Sequence, residues 1–240
     1  MTFLIFALLF NDAFCTICQK KYKSQKDCIT IHDGLGTFTT AYPWSDIKRI
    51  PKDENDPLTE FEIIDVRPAV QVESPDEINT TFLIFNGEHS LDNPIMYDPM
   101  ESVDALRNES GYMENAKTLI FIHGWLSGVV YQGEPDEQLQ LLVREVEKLP
   151  EHMNLIFVDW SNGARKIRYW QPATNGEIVG AQIGKFIIST INEGINTIDD
   201  FYVVGHSLGA HIAGYAGKFV QQANPSLMIP RITGAVKFAL

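Results

Sequence analysis

The stretch FYVVGHSLGAHIAGYAGK, residues 201–218, constrains the fold more than any other part of this sequence. A short apolar run, Phe201 to Val204, ends in Gly205-His206-Ser207-Leu208-Gly209. A segment of small residues follows, with His211, Ala213, Ala216 and Gly217 in its first turns. Strand, sharp turn and helix in that order form the context of a nucleophile elbow, which lifts a serine hydroxyl clear of the sheet. Bulky side chains two residues to either side would collide with the strand and the helix, hence Gly205 and Gly209. The helix that begins at Ser207 aims its N-terminal amides at the reacting centre.

Other apolar runs fit around this unit. Phe61 to Val66, Thr81 to Asn86, Thr118 to His123, Asn154 to Trp160 and Ile229 to Gly234 read as further strands. The middle ones are apolar on consecutive residues, as strands covered on both faces are. Between them lie helical patterns. Leu139, Leu142, Val143, Val146 and Leu149 form one stripe, and Val179, Ile183, Phe186, Ile187 and Ile191 another. Gly180, Ala181 and Gly184 suit close packing of the second helix. Strands alternating with helices imply right-handed crossovers and a mainly parallel sheet with helices on both faces. The early strands, with no helix between them, suit antiparallel edge positions. Residues 16–57 are polar and turn-rich and read as an irregular segment, with the catalytic domain expected over 58–240.

Composition narrows the function classes. The chain has 240 residues, enough to bury roughly 70–75% of its unfolded surface without a disulfide framework or metal. It carries 31 acidic and 19 basic side chains, a net charge of −12, which argues against a nucleic-acid partner. The six histidines are scattered without metal-ligand spacing, so no metal or other cofactor is expected. Thr2 to Phe10 is apolar but too short to span a bilayer, and no later run is long enough for a transmembrane segment. It suits the core of a signal peptide over residues 1–15, with Ala13 and Cys15 at the positions a signal peptidase reads. The expected location is extracellular. There, Asn79-Thr80-Thr81 and Asn108-Glu109-Ser110 are glycan acceptors, and after cleavage Cys18 and Cys28 remain to pair or stay free.

Phe121-Ile122-His123-Gly124-Trp125 ends an earlier strand. An elbow serine needs two backbone amides for the oxyanion, one from the residue after the nucleophile and one from such a loop. Leu208 and Trp125 are placed to supply them, with Gly124 allowing close approach. Asp159 also ends a strand, but it precedes the serine in the chain, whereas triad acids of this fold follow it. It reads as a structural acceptor.

These stretches, with VDWSNGA at 158–164, ATNGEIVGAQIGKFI at 173–187 and RITG at 231–234, resemble the animal lipases of the pancreatic lipase family. The likeness is nearest to the arthropod single-domain secreted lipases and phospholipases A1. It implies an α/β-hydrolase fold and a secreted carboxylic-ester hydrolase acting on a lipid ester, triacylglycerol or phospholipid, at a lipid–water interface. It also implies Ser207 as the nucleophile, with His206 and His211 as structural neighbours. The family continues after RITG with Leu-Asp-Pro-Ala, whose aspartate is the triad acid. Here Val236 stands in that place. The family's base histidine and lid lie farther on. The expectation is therefore of a chain truncated after Gly234, with the C-terminal part of the fold missing. The alternative function is a catalytically incomplete form that binds lipid or acts as a decoy.

Overall fold

The computed structural model describes residues 14–20, 26–32, 34–39, 47–51, 61–65, 72–87, 89–109, 111–131, 134–149 and 151–235. The chain divides into two compact units, Met1–Gln71 and Val72–Leu240. The N-terminal unit holds β1 (Phe14–Lys20), β2 (Lys26–His32) and β3 (Gly36–Thr39) in one antiparallel sheet. A separate hairpin pairs β4 (Ile47–Pro51) with β5 (Phe61–Asp65). Strands thus occupy much of a segment whose polar sequence suggested irregular chain. The Phe61 run is a strand, as expected, but it belongs to this hairpin. The Thr2–Phe10 run lies outside the described residues.

The second unit contains α1 (Pro75–Ile78), β6 (Thr81–Phe85), β7 (Ile95–Tyr97), α2 (Asp104–Glu109) and β8 (Thr118–Ile122). Next come the short pair β9 (Val130–Tyr131) and β10 (Glu134–Pro135), then α3 (Glu137–Glu147), β11 (Asn154–Asp159) and α4 (Ser161–Ala164). The chain continues through α5 (Trp170–Asn192), β12 (Phe201–His206), α6 (Leu208–Ala223) and β13 (Arg231–Ala235). Six strands form one sheet in the order β13-β12-β8-β11-β6-β7. The β13-β12-β8-β11 run is parallel, and β6 and β7 are antiparallel at one edge.

Both faces of the sheet are covered. Leu83, Phe85, Phe121, Leu155 and Phe157 pack on Leu139 and Val143 of α3. The alternate residue Phe82 meets Phe186 of α5 edge-on at 5.4 Å between ring centres, and Phe186 also reaches Phe201. Consecutive apolar residues are therefore all used, one face at a time. Asp136 caps α3 by accepting the Gln138 amide. Helix α5 lies close against α6: side chains at Gly180 and Gly184 would run into Tyr215 and Phe219. The result is an α/β-hydrolase fold whose parallel strands all end on one side, at the mouth between β8 and β12.

Candidate active site

Register fixes what meets at that mouth. Gly205 of β12 pairs with Ile122 of β8 on one side and Gly234 of β13 on the other. Just beyond this point β8 ends at Ile122 and β12 at His206. Ser207 has φ 53° and ψ −117°, a conformation that costs an L-residue on the order of 1–3 kcal/mol and persists only where the surroundings impose it. Here the surroundings are specific. The Ser207 amide donates to the Ala235 carbonyl at 2.7 Å, and the Ser207 carbonyl accepts from Ala210 at 3.0 Å. A Cβ on Gly205 would strike the Gly209 carbonyl, and one on Gly209 would strike that of Ile122. The two glycines let strand, turn and helix close up.

Ser207 stands at the N-cap of α6, yet its side chain makes no capping bond. A serine at this position ordinarily accepts from the amides of the first turn. Here the hydroxyl is exposed and has no hydrogen-bond partner among the described residues. The Leu208 amide opens α6 with no carbonyl behind it.

The strand β8 delivers its loop to the same point. A Cβ on Gly124 would lie 2.9 Å from Ser207 Cβ and 3.4 Å from Ser207 Oγ, so the Gly124 backbone borders the serine directly. Trp125 follows. The loop is tied down on its far side: Trp125 Nε1 donates to the Lys166 carbonyl at 2.9 Å, and Leu126 N donates to the Ala164 carbonyl at 3.3 Å. The Trp125 ring meets Tyr169 edge-on at 5.2 Å.

His123 is fully buried beneath this loop, stacked on Trp160 at 5.4 Å between ring centres. Its Nδ1 lies 2.9 Å from the Gly124 carbonyl, which can only accept, so Nδ1 is the donor of that bond. Its Nε2 then accepts from the Trp160 amide at 3.3 Å. Asp159 Oδ1, 3.7 Å from Nε2, is beyond hydrogen-bond length. That carboxylate accepts instead from the Ser161 amide at 3.0 Å and from the Ser161 hydroxyl. Burial pushes the Asp159 carboxyl up, but the two bonds from Ser161 favour its charged form, and the carboxyl is held below the usual value. Asp159 and His123 thus serve to hold the start of α4 and the Gly124 loop.

Of the remaining residues singled out in the sequence, Asn79 is exposed in left-handed backbone at the end of α1 (φ 49°), and Asn108 lies in the last turn of α2. Val236 lies outside the described residues. Sequence reasoning missed the part played by Lys166, Ala164 and Tyr169 in bracing the Trp125 loop. Two of those three contacts run through backbone carbonyls, which leave no trace in side-chain identity. No group of three or more potential metal ligands occurs among the described residues. None of the described helices is long and apolar enough to cross a membrane.

A sequence profile of the lipase family, described simply as "Lipase", matches residues 49–236, more than three quarters of the chain. The chain belongs to the lipase family. Pancreatic triacylglycerol lipase of Mus musculus is 34% identical over 203 residues, covering 84% of this chain and 37% of its own length. The Homo sapiens protein of the same name is 31% identical over 203 residues, covering 85% and 37%. A relative from Mus musculus named inactive pancreatic lipase-related protein 1 is 30% identical over 188 residues, covering 78% and 34%. This lipase-family chain spans about a third of the length of these curated relatives. Among solved structures, the carboxylesterase EstE1 from a metagenomic library overlaps 64% of the chain and 45% of its own, at 13% identity and a TM-score of 0.33.

Proposed function

We propose that this lipase-family chain carries the nucleophile and oxyanion side of a secreted lipid-ester hydrolase. Ser207 is the nucleophile. The amides of Trp125 and Leu208 form the oxyanion hole, and Gly205 and Gly209 make the turn possible. The observation that carries this reading is the strained, exposed Ser207 backbone beside Gly124. Strain imposed on a serine whose hydroxyl does nothing structural is what a pre-positioned nucleophile requires. The relatives are named for triacylglycerol, and a triacylglycerol or phospholipid ester is the substrate class proposed here. Attack of Ser207 Oγ on the ester carbonyl forms an acyl-enzyme and releases the alcohol. Water then cleaves the acyl-enzyme.

Attack needs a base to take the serine proton. His123 cannot be that base, because its two ring nitrogens are engaged by Gly124 and Trp160. This favours a second reading for the 240-residue chain on its own, a lipid-binding form without hydrolysis. The relative named inactive shows that lipase-family membership does not by itself carry activity.

The experiment has two arms. In the protein that carries this chain, a serine-directed phosphonate should label Ser207. Ser207→Ala should remove both labelling and ester hydrolysis, a loss of up to about a million-fold where a full triad operates. The 240-residue chain alone should hydrolyse a short-chain ester no faster than its Ser207→Ala variant. Labelling at another serine overturns the first reading. Robust Ser207-dependent turnover by the 240-residue chain overturns the second.

A further inference from the structure

The Trp125 loop carries a second strained residue. Leu126 has φ 58°, a left-handed backbone that a bulky side chain disfavours. It stands two residues beyond Gly124, whose backbone borders Ser207, and Trp125 lies between them. Such a conformation persists only where its surroundings impose it. Here two carbonyls do so, those of Ala164 and Lys166, which accept from the Leu126 amide and from Trp125 Nε1. Neither carbonyl depends on its own side chain. Whatever holds residues 163–166 in place therefore decides where the Trp125 amide stands.

Two side chains grip that stretch. Asn175 of α5 is fully buried. Its nitrogen donates to the Gly163 carbonyl at 3.3 Å and to Glu73 Oε2 at 2.8 Å. Its oxygen accepts from the Glu73 amide at 3.1 Å and from Gln171 Nε2 at 2.9 Å. Both donors and both lone pairs are in use, so the side-chain amide is fixed in one orientation. Glu73 Oε1 in turn meets Lys166 Nζ at 3.1 Å. The two gripped residues, Gly163 and Lys166, stand on either side of Ala164, and Lys166 supplies the carbonyl that Trp125 uses. The Glu73–Lys166 pair is partly exposed, and pairs of that kind contribute little to folding. Its place beside the oxyanion loop points to position rather than stability.

We infer that Glu73 and Asn175 are positioning residues for the oxyanion amide of Trp125. Asn175 sets Gly163 and Glu73, and Glu73 sets Lys166. The Ala164 and Lys166 carbonyls then hold the Trp125 loop beside Ser207. Neither side chain touches the reacting atoms. This role rests on the reading of Ser207 as nucleophile and Trp125 as oxyanion donor. A displaced donor is felt where charge develops, so its loss falls on the chemical step and not on substrate affinity.

The test uses the protein that carries this chain, with a soluble short-chain ester and, separately, a p-nitrophenyl alkylphosphonate. In the phosphonate reaction Ser207 Oγ bonds to phosphorus, p-nitrophenolate leaves, and the phosphoryl oxygen takes the oxyanion's place. Glu73→Ala should lower both kcat and the labelling rate about tenfold, short of the roughly 100- to 1000-fold cost of removing an oxyanion donor outright. KM should stay within about twofold of wild type. Lys166→Met should show a smaller fall in the same direction, and Lys166→Arg, which keeps the ion pair, should keep the wild-type rate. Lys148→Met, which breaks the Lys148–Glu145 pair at the end of α3, should change nothing. The melting temperatures of these variants should stay close to that of wild type. Asn175 is fully buried, so its variants test the fold as well as the site, and the decision rests on Glu73 and Lys166. Wild-type kcat and labelling in Glu73→Ala overturn the inference and leave Ser207 as the nucleophile. A rise in KM with kcat unchanged overturns it too, as do equal rates in Lys166→Met and Lys166→Arg, or a slower Glu73→Ala whose melting temperature falls as well. A wild-type protein whose Ser207 resists the phosphonate removes the nucleophile, and the positioning role with it.

Discussion

At the scale of single residues, the unusual expense of this structure is the backbone of Ser207. Its φ of 53° puts Cβ where an L-residue is disfavoured, and bonds to Ala235 and Ala210 keep it there. Glycine has no Cβ to crowd. Ser207→Gly should relieve on the order of 1–3 kcal/mol of strain. It should also lose about 0.5–1 kcal/mol to the greater freedom of the unfolded chain. The strain term is the larger, so we expect Ser207→Gly to be about 1 kcal/mol more stable than Ser207→Ala, which keeps Cβ. Urea denaturation of the two variants measures the difference. A glycine variant less stable than the alanine one would show that the turn carries no strain.

At the scale of elements, what was legible in the sequence follows from length and period. Helices α3, α5 and α6 span three or more turns, so their apolar stripes repeat often enough to read. Strands β6, β8 and β11 stood out because burial on both faces makes them apolar almost throughout. Strand β7, with three residues, and β9 and β10, with two each, are too short to show any period. Helix α1 has four residues but does have a signal: Ser74-Pro-Asp-Glu77 is a capping box, with each side chain bonded to the other's backbone. The elbow and the Gly124 loop were legible because close backbone approach demands glycine. The bracing of that loop by carbonyls of Ala164 and Lys166 was not, since any residue supplies a carbonyl.

The contact between α5 and α6 contains one group at odds with its surroundings. Glu177 of α5 has Oε1 buried without a hydrogen-bond partner among the described residues. Burial pushes its carboxyl up to about 8, against the pull of the Lys218 charge on α6. The folded state therefore holds a proton that the unfolded chain releases near its ordinary value of 4.5. Between those two values stability falls as pH rises, because the native state binds more protons. Glu177→Gln removes the titration. It should match wild type near pH 4.5 and exceed it near pH 8 by about 2 kcal/mol, a figure discounted for the water that still reaches the group. Denaturation curves for both proteins across that range decide the matter. A constant gap between them at all pH values would place the Glu177 carboxylate in water.

At the scale of the whole molecule, the two ends of the described chain carry different consequences. In the N-terminal sheet the register sets Cys18 directly opposite Cys28 on antiparallel neighbours. If the chain is exported, as proposed, an oxidising compartment should join them. Peptide mapping without reductant should then recover residues around Cys18 linked to those around Cys28, and recovery of both as free thiols would refute the pairing. At the other end, β13 is the outermost strand of the six-stranded sheet, paired to β12 on one side and to no described strand on the other. Its Ile232 is 41% exposed. A parallel edge with free backbone groups and an apolar side chain is a template for a second chain to pair with. The 240-residue chain should therefore self-associate, its apparent mass by light scattering rising with concentration. Ile232→Lys sets a charge on that edge, which natural sheets use to block such pairing. The variant should return the population toward monomer while leaving the register of β12 and β8, and hence the Ser207 turn, in place. A wild-type chain that remains monomeric with a sharp cooperative melt would show that the β13 edge is already protected.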